Sequence, residues 1–207
     1  MVLNYAVSAL LTLFVVVDPI AMAPTFLALT HGMPRQARRS VGVRASVLAG
    51  AILIGTALLG DWLLDMLAIS LPAFRIAGGL LLFWIAAEMV FGVRSRHEGE
   101  AAEQAMEERV RNVAAFPLAI PLLAGPGALT ATVLLSTRAA GSPLLTAILI
   151  AVVVSVAASC WITFIFAGRI GHLLGRTGNI VLSRLLGVLL AALAVQYVVD
   201  GVRAIFS

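Results

Sequence analysis

Apolar residues run through this chain in six long blocks, near residues 3–29, 43–64, 69–93, 113–137, 143–167 and 181–204, separated by short polar or arginine-bearing stretches. A helix needs about 20 apolar residues to cross the hydrocarbon core of a bilayer. Each block therefore predicts a membrane-spanning helix, and little of the chain is left over for a soluble domain. The expected fold is an all-α integral membrane protein of six transmembrane helices. The first block is too long for the core of a removable signal peptide, so the mature protein is expected to keep it.

Two of the blocks are interrupted. Asp18-Pro19 breaks the first and Gly125-Pro126-Gly127 the fourth, each near the depth of a bilayer midplane. A shift of about 107 residues lays Pro19 on Pro126, Ala21 on Ala128 and Thr30 on Thr137. The third and sixth blocks repeat as well: Arg75-Ile-Ala-Gly78 matches Arg184-Leu-Leu-Gly187, and Gly92-Val93 matches Gly201-Val202. Three spans per repeat is odd, so the second copy must enter the membrane from the opposite side, which gives inverted repeats. The expected organisation is a first three-helix repeat at 1–93, a charged cytoplasmic linker at 94–112 and a second three-helix repeat at 113–207, with helices one and four broken. Glu103, Glu107 and Arg111 have the spacing of a short charged helix within that linker.

Composition changes little in this picture. Hydrophobic residues make up 61% of the 207 and charged residues 12%, and the mean hydropathy of +1.07 suits lipid as solvent. The net charge of +4 comes from fourteen arginines and no lysine. Arg75, Arg138 and Arg203 fall on one side of the predicted membrane and the other eleven on the opposite side. The positive-inside rule then places the arginine-rich loops in the cytoplasm and both termini outside, and leaves no basic surface for nucleic acid. The single cysteine, Cys160, excludes an internal disulfide or a paired-thiol carrier.

The breaks carry the candidate chemistry. Proline has no N–H and its ring clashes with the carbonyl four residues back. Pro19, Pro24, Pro117, Pro121 and Pro126 are thus expected to free the carbonyls of Val15, Ile20, Val113, Pro117 and Leu122. Unpaired backbone groups are costly in lipid and must face protein, water or a ligand. A broken helix also presents two ends of opposite partial charge, an arrangement that fits a zwitterion: carboxylate on the N–H groups after Pro19 and Pro126, ammonium on freed carbonyls or Asp18. The small residues around the breaks leave room only for a small solute. Asp18, a carboxylate near the bilayer centre, is the leading candidate for substrate binding and for ion or proton coupling, with Glu88 second. Small-residue ladders at Gly42, Ser46 and Gly50, and at Ala147, Ala151, Ser155, Ser159 and Thr163, are read as helix contacts.

VVVDPIAMAPTFLALT at 15–30, PLAIPLLAGPGALTATVLL at 117–135 and the two Arg-x-x-Gly openings together resemble the MarC family of six-span bacterial inner-membrane proteins. The resemblance covers nearly the whole chain. It implies a fold akin to the LysE-type transporter group, a bacterial cytoplasmic membrane location and, for some members, transport of neutral amino acids such as alanine, glycine or serine. It also implies a site at Asp18, Pro19, Ala21, Met22 and Pro24 in the first motif, and at Gly125, Pro126, Gly127 and Thr130 in the second. Ala21 and Met22 depart from the glycine and asparagine usual in the family, removing close backbone access and a polar amide.

The function expected is therefore a secondary transporter working by alternating access, driven by a proton or sodium gradient or by the substrate's own. A non-transport membrane scaffold and a passive channel for small solutes are the alternatives. No P-loop, HExxH or nucleophile elbow is present, so no enzyme, ATP drive, metal or other cofactor is expected. Partners expected are the lipid bilayer, a small neutral amino acid and, in an oligomer, further copies of the chain.

Overall fold

The computed structural model describes residues 2–30, 33–92 and 113–206; the predicted linker at 94–112 lies outside the described residues. Every regular element among them is helical: α1 (Val2–Val17), α2 (Met22–Leu29), α3 (Arg35–Met66), α4 (Leu71–Phe91), α5 (Ala114–Leu123), α6 (Pro126–Ala139) and α7 (Pro143–Phe206). Four stretches are long and apolar enough to cross a membrane: Arg35–Gly60, Leu71–Phe91, Pro143–Ile170 and Ile180–Phe206. The pair α1 and α2, bent by 43° at its break, makes a fifth if counted as one span. The fourth predicted block is split into α5 and α6, of 10 and 14 residues, and neither piece alone has the length of a span.

Local chemistry explains the ends. Ser70 Oγ accepts from Ala73 N–H at 3.4 Å to cap α4, with Pro72 in the first turn, and Gly92 ends the helix at φ 76°. In α5, Pro117 and Pro121 cannot donate, and the backbone widens into a π-helix. Leu118 N–H bonds Val113 O at 3.4 Å and Ala124 N–H bonds Ala119 O at 2.8 Å, both spanning five residues. The carbonyl of Val113, expected to be free, is thus taken. So is that of Ile20, which accepts from Ala23 N–H at 3.1 Å.

Although α7 is helical over 64 residues, it doubles back between its two apolar stretches. Cys160 shares a cavity with Val17, and Ser183 touches the next residue, Asp18. In a straight helix those two residues of α7 would stand about 35 Å apart.

The glycine contacts set the helix directions. Gly42 faces Phe164 and Gly50 faces Ala157, so α3 runs antiparallel to the first stretch of α7. Gly79 faces Ala194 and Gly187 faces Met89, so α4 runs antiparallel to the second. Tyr5 OH donates to Leu135 O at 2.8 Å while Val16 lies beside Gly127, so α1 runs antiparallel to α6.

One ladder is corrected. Ala147, Ala151 and Ser155 are exposed, and the face of α7 turned to α3 carries Ala157, Cys160 and Phe164 instead. The outer faces are apolar too: Leu80, Leu81, Trp84, Leu185, Val188 and Leu189 are all exposed, as lipid-facing positions are.

Candidate functional site

Residues flanking the two breaks meet. Val16 Cγ1 lies 3.2 Å from where a side chain on Gly127 would begin, and Ile85 of α4 closes on the same point, so any larger residue there would make the Ile85 and Val16 side chains give way where α1, α4 and α6 approach. Val17, the last residue of α1, and Leu123, the last of α5, line one small cavity with Ser46, Leu53, Val156 and Cys160. Its volume of about 10 Å³ has room for about one water. Ser46 is 4% exposed and its Oγ has no hydrogen-bond partner. The cavity is therefore bordered by the carboxyl ends of two broken helices, where the helix dipole is negative, and by one hydroxyl.

Asp18 shapes the first break. It is 1% exposed and takes a left-handed φ of 49°, a conformation that asparagine and aspartate tolerate better than other side chains. Its Oδ1 accepts from Ala21 N–H at 3.3 Å, and its Oδ2 from Ser183 Oγ at 3.4 Å. The backbone of Asp18 continues both helices: its N–H bonds Phe14 O at 2.9 Å and its C=O receives Met22 N–H at 3.3 Å. The carboxylate thus turns the chain, caps the approach to α2 and ties α7 to the break.

Of the other residues expected at the site, Pro19, Ala21 and Met22 are buried around the first break and Pro24 is exposed. At the second, Gly125 is half-buried with an extended φ of −81°, which any residue adopts, while Gly127, Ala128 and Thr130 are buried and Pro126 is exposed. Thr130 packs on Gly78, where a side chain on α4 would collide with its methyl at 2.7 Å. Glu88 accepts from Trp84 Nε1 at 2.9 Å, and Trp84 is 67% exposed, so the pair lies on the outward side of α4. The contacts that join the breaks run instead through Val16, Val17, Leu123 and Gly127.

Ser183, and Ser46 as a cavity hydroxyl, were not singled out by sequence reasoning. The one available signal for Ser183 was its place directly before the repeated Arg-x-x-Gly motif. Beneath the site, Phe26 of α2 stacks on Phe164 of α7 with ring centroids 4.3 Å apart. Toward the other end, Arg138 pairs with Asp200 at 3.4 Å and lies 4.7 Å over the Tyr197 ring. Asp200 also accepts from Gln196 Nε2 at 2.7 Å.

Related sequences match the chain over almost its full length. The chain is 36% identical over 205 residues to a UPF0056 membrane protein of Methanocaldococcus jannaschii, covering 97% of each. It is 36% identical over 201 residues to one of Archaeoglobus fulgidus, covering 96% of this chain and 92% of the other. To the UPF0056 membrane protein YhcE of Escherichia coli it is 34% identical over 197 residues, covering 94% and 90%. No solved structure matches the chain. Residues 3–206 match the model of the MarC family of integral membrane proteins, and the chain belongs to that family.

Proposed function

We propose that this membrane protein is a secondary transporter of small neutral amino acids, built from two inverted three-span repeats and working at the point where its broken helices meet. The observation that carries the reading is the shared cavity: the carboxyl ends of α1 and α5, far apart in sequence and matched by the repeat, border the same buried space. Inversion is supported by the helix directions, since α3 and α4 each run antiparallel to their own sequence counterparts in the second half. In this arrangement both termini lie outside and the linker at 94–112 is cytoplasmic.

The ends of the breaks suit the two charges of an amino acid. The α6 helix opens with no side-chain cap, so its first N–H donors are available to a carboxylate. An ammonium group is complemented by the carboxyl ends of α1 and α5 and by Asp18. With room for about one water, the cavity admits even a small amino acid only after the helices around it separate, which is the motion alternating access requires. Transport, not catalysis, is the activity proposed, and a proton or sodium gradient is the coupling proposed.

A second reading has its own observation. The Asp18 carboxylate is already engaged by Ala21 and Ser183, as it would be in a purely structural turn of a scaffold protein.

The test is uptake of radiolabelled alanine, glycine and serine by liposomes containing the purified protein, with and without an imposed pH gradient, against empty liposomes and a Gly127→Leu variant. Saturable uptake lost in the variant is expected. Absence of flux across a wide amino-acid panel, from protein shown to be folded, sinks the proposal in favour of the scaffold.

A further inference from the structure

At one end of the bundle, the start of α3 and the end of the first stretch of α7 form a groove that the breaks do not use. Because those two helices are antiparallel, Arg35, at the start of one membrane-crossing stretch, and Arg169, at the end of the other, lie at the same membrane surface. Arg35, Arg38, Arg39 and Arg169 line a groove of about 530 Å³ whose floor is Phe164, Ile165 and Phe166. Arg35, Arg39 and Arg169 are exposed. Arg38 is half-buried: one guanidinium nitrogen donates to Thr30 O at 3.4 Å, and its Nε is buried without a partner. The Arg169 guanidinium lies 5.7 Å over the Phe166 ring, held at the edge of the apolar floor.

Four guanidinium groups around an apolar floor, level with the membrane surface, match a molecule with a phosphate at one end and hydrocarbon at the other. Arginine forks suit phosphate oxygens, and a basic pocket between helices at the membrane surface is the usual seat of an anionic headgroup. A soluble anion would use the arginines but gain nothing from Phe164, Ile165 and Phe166. The geometry points to a binding site for one anionic phospholipid, with its phosphodiester on Arg35, Arg38, Arg39 and Arg169 and an acyl chain along the floor. The site lies beside the Phe26–Phe164 stack, and an occupant would brace α3 and α7 against each other. The assignment stands whether or not the protein transports amino acids.

The test uses the full-length protein in mild detergent, with melting midpoint as readout. Added phosphatidylglycerol is expected to raise the midpoint by a few degrees, while phosphatidylcholine and inorganic phosphate leave it unchanged. The double variant Arg39→Gln with Arg169→Gln should lose the response while keeping its midpoint in phosphatidylcholine. Arg39→Lys with Arg169→Lys should retain part of it. Native mass spectrometry of the wild type, counting retained phosphatidylglycerol against phosphatidylcholine, keeps the test decisive if the glutamine variant fails to fold. An equal response to phosphatidylcholine, a response to phosphate alone, a response that survives in the glutamine variant, or no response to phosphatidylglycerol would each overturn the assignment.

Discussion

Replacing Asp18 separates the shape of the first break from its charge. Alanine at this position loses two things. A left-handed φ of 49° costs an ordinary L-residue roughly 1–2 kcal/mol. The carboxylate's bonds to Ala21 N–H and Ser183 Oγ, at 3.3 and 3.4 Å, are long, and about 0.5–1 kcal/mol net for each is a fair expectation. Asp18→Ala should therefore destabilise the protein by about 2–4 kcal/mol, or about 5–15 °C in melting midpoint for a chain of this size. Asparagine tolerates the same backbone conformation and keeps a carbonyl oxygen for Ala21, while the Ser183 hydroxyl can rotate to accept from its amide. Asp18→Asn should cost less than about 1 kcal/mol. Thermal unfolding in detergent of wild type, both variants and Ser183→Ala, which removes only one bond, tests the ledger. Equal loss in the asparagine and alanine variants would refute it, because charge and not geometry would then hold the break. A stable Asp18→Asn protein also isolates the coupling proposal: its uptake in liposomes should no longer respond to a pH gradient.

Other expectations follow from packing. An alanine at Gly79 would place its methyl 2.7 Å from the Ala194 carbonyl, a backbone atom that cannot swing away, and should cost about 1–3 kcal/mol. Gly55 has nothing within 4 Å, so Gly55→Ala should be neutral or stabilising by up to about 1 kcal/mol; paired melting midpoints of opposite sign check both. Cys160, 2% exposed at the cavity and the one cysteine of the chain, should react slowly with a membrane-permeant maleimide, and a transported amino acid should change that rate as the helices part. A labelling rate indifferent to every amino acid that is taken up would count against a cavity that opens during transport. Arg138→Gln removes an ion pair to Asp200 about a third exposed and should cost about 1 kcal/mol or less, a loss that shrinks in high salt.

Much of the candidate site was legible because its signals are local. Asp18-Pro19 and Gly125-Pro126-Gly127 interrupt helices by covalent geometry, whatever surrounds them, and the repeat offset made them a pair. What the breaks do with their backbone groups was less legible. Prolines at 117 and 121 predict lost bonds, yet the chain widens into a π-helix and Leu118 recovers the Val113 carbonyl. The misassigned face at Ala147, Ala151 and Ser155 has a related cause. In a membrane protein the lipid-facing and core-facing sides of a helix are both apolar, so periodicity cannot say which side a neighbour takes. Matched residues need not share a task either: Gly92 caps α4 in a left-handed turn, whereas its counterpart Gly201 lets α7 pack against Ile76 and the Pro72 carbonyl.

The sequence by itself determined that this chain lives in a membrane, that it is helical and that two of its apolar blocks are broken. These follow from hydrophobic length, from the need to satisfy backbone groups in lipid and from proline chemistry, none of which depends on distant contacts. Only the tertiary structure decided that Val17 and Leu123 share a cavity, that Ser183 reaches Asp18 across 165 residues of chain, and that Glu88 turns outward with Trp84. Those outcomes depend on which helix faces meet, and the faces are chosen by close packing of glycines and small side chains, which a one-dimensional pattern of apolar residues does not encode.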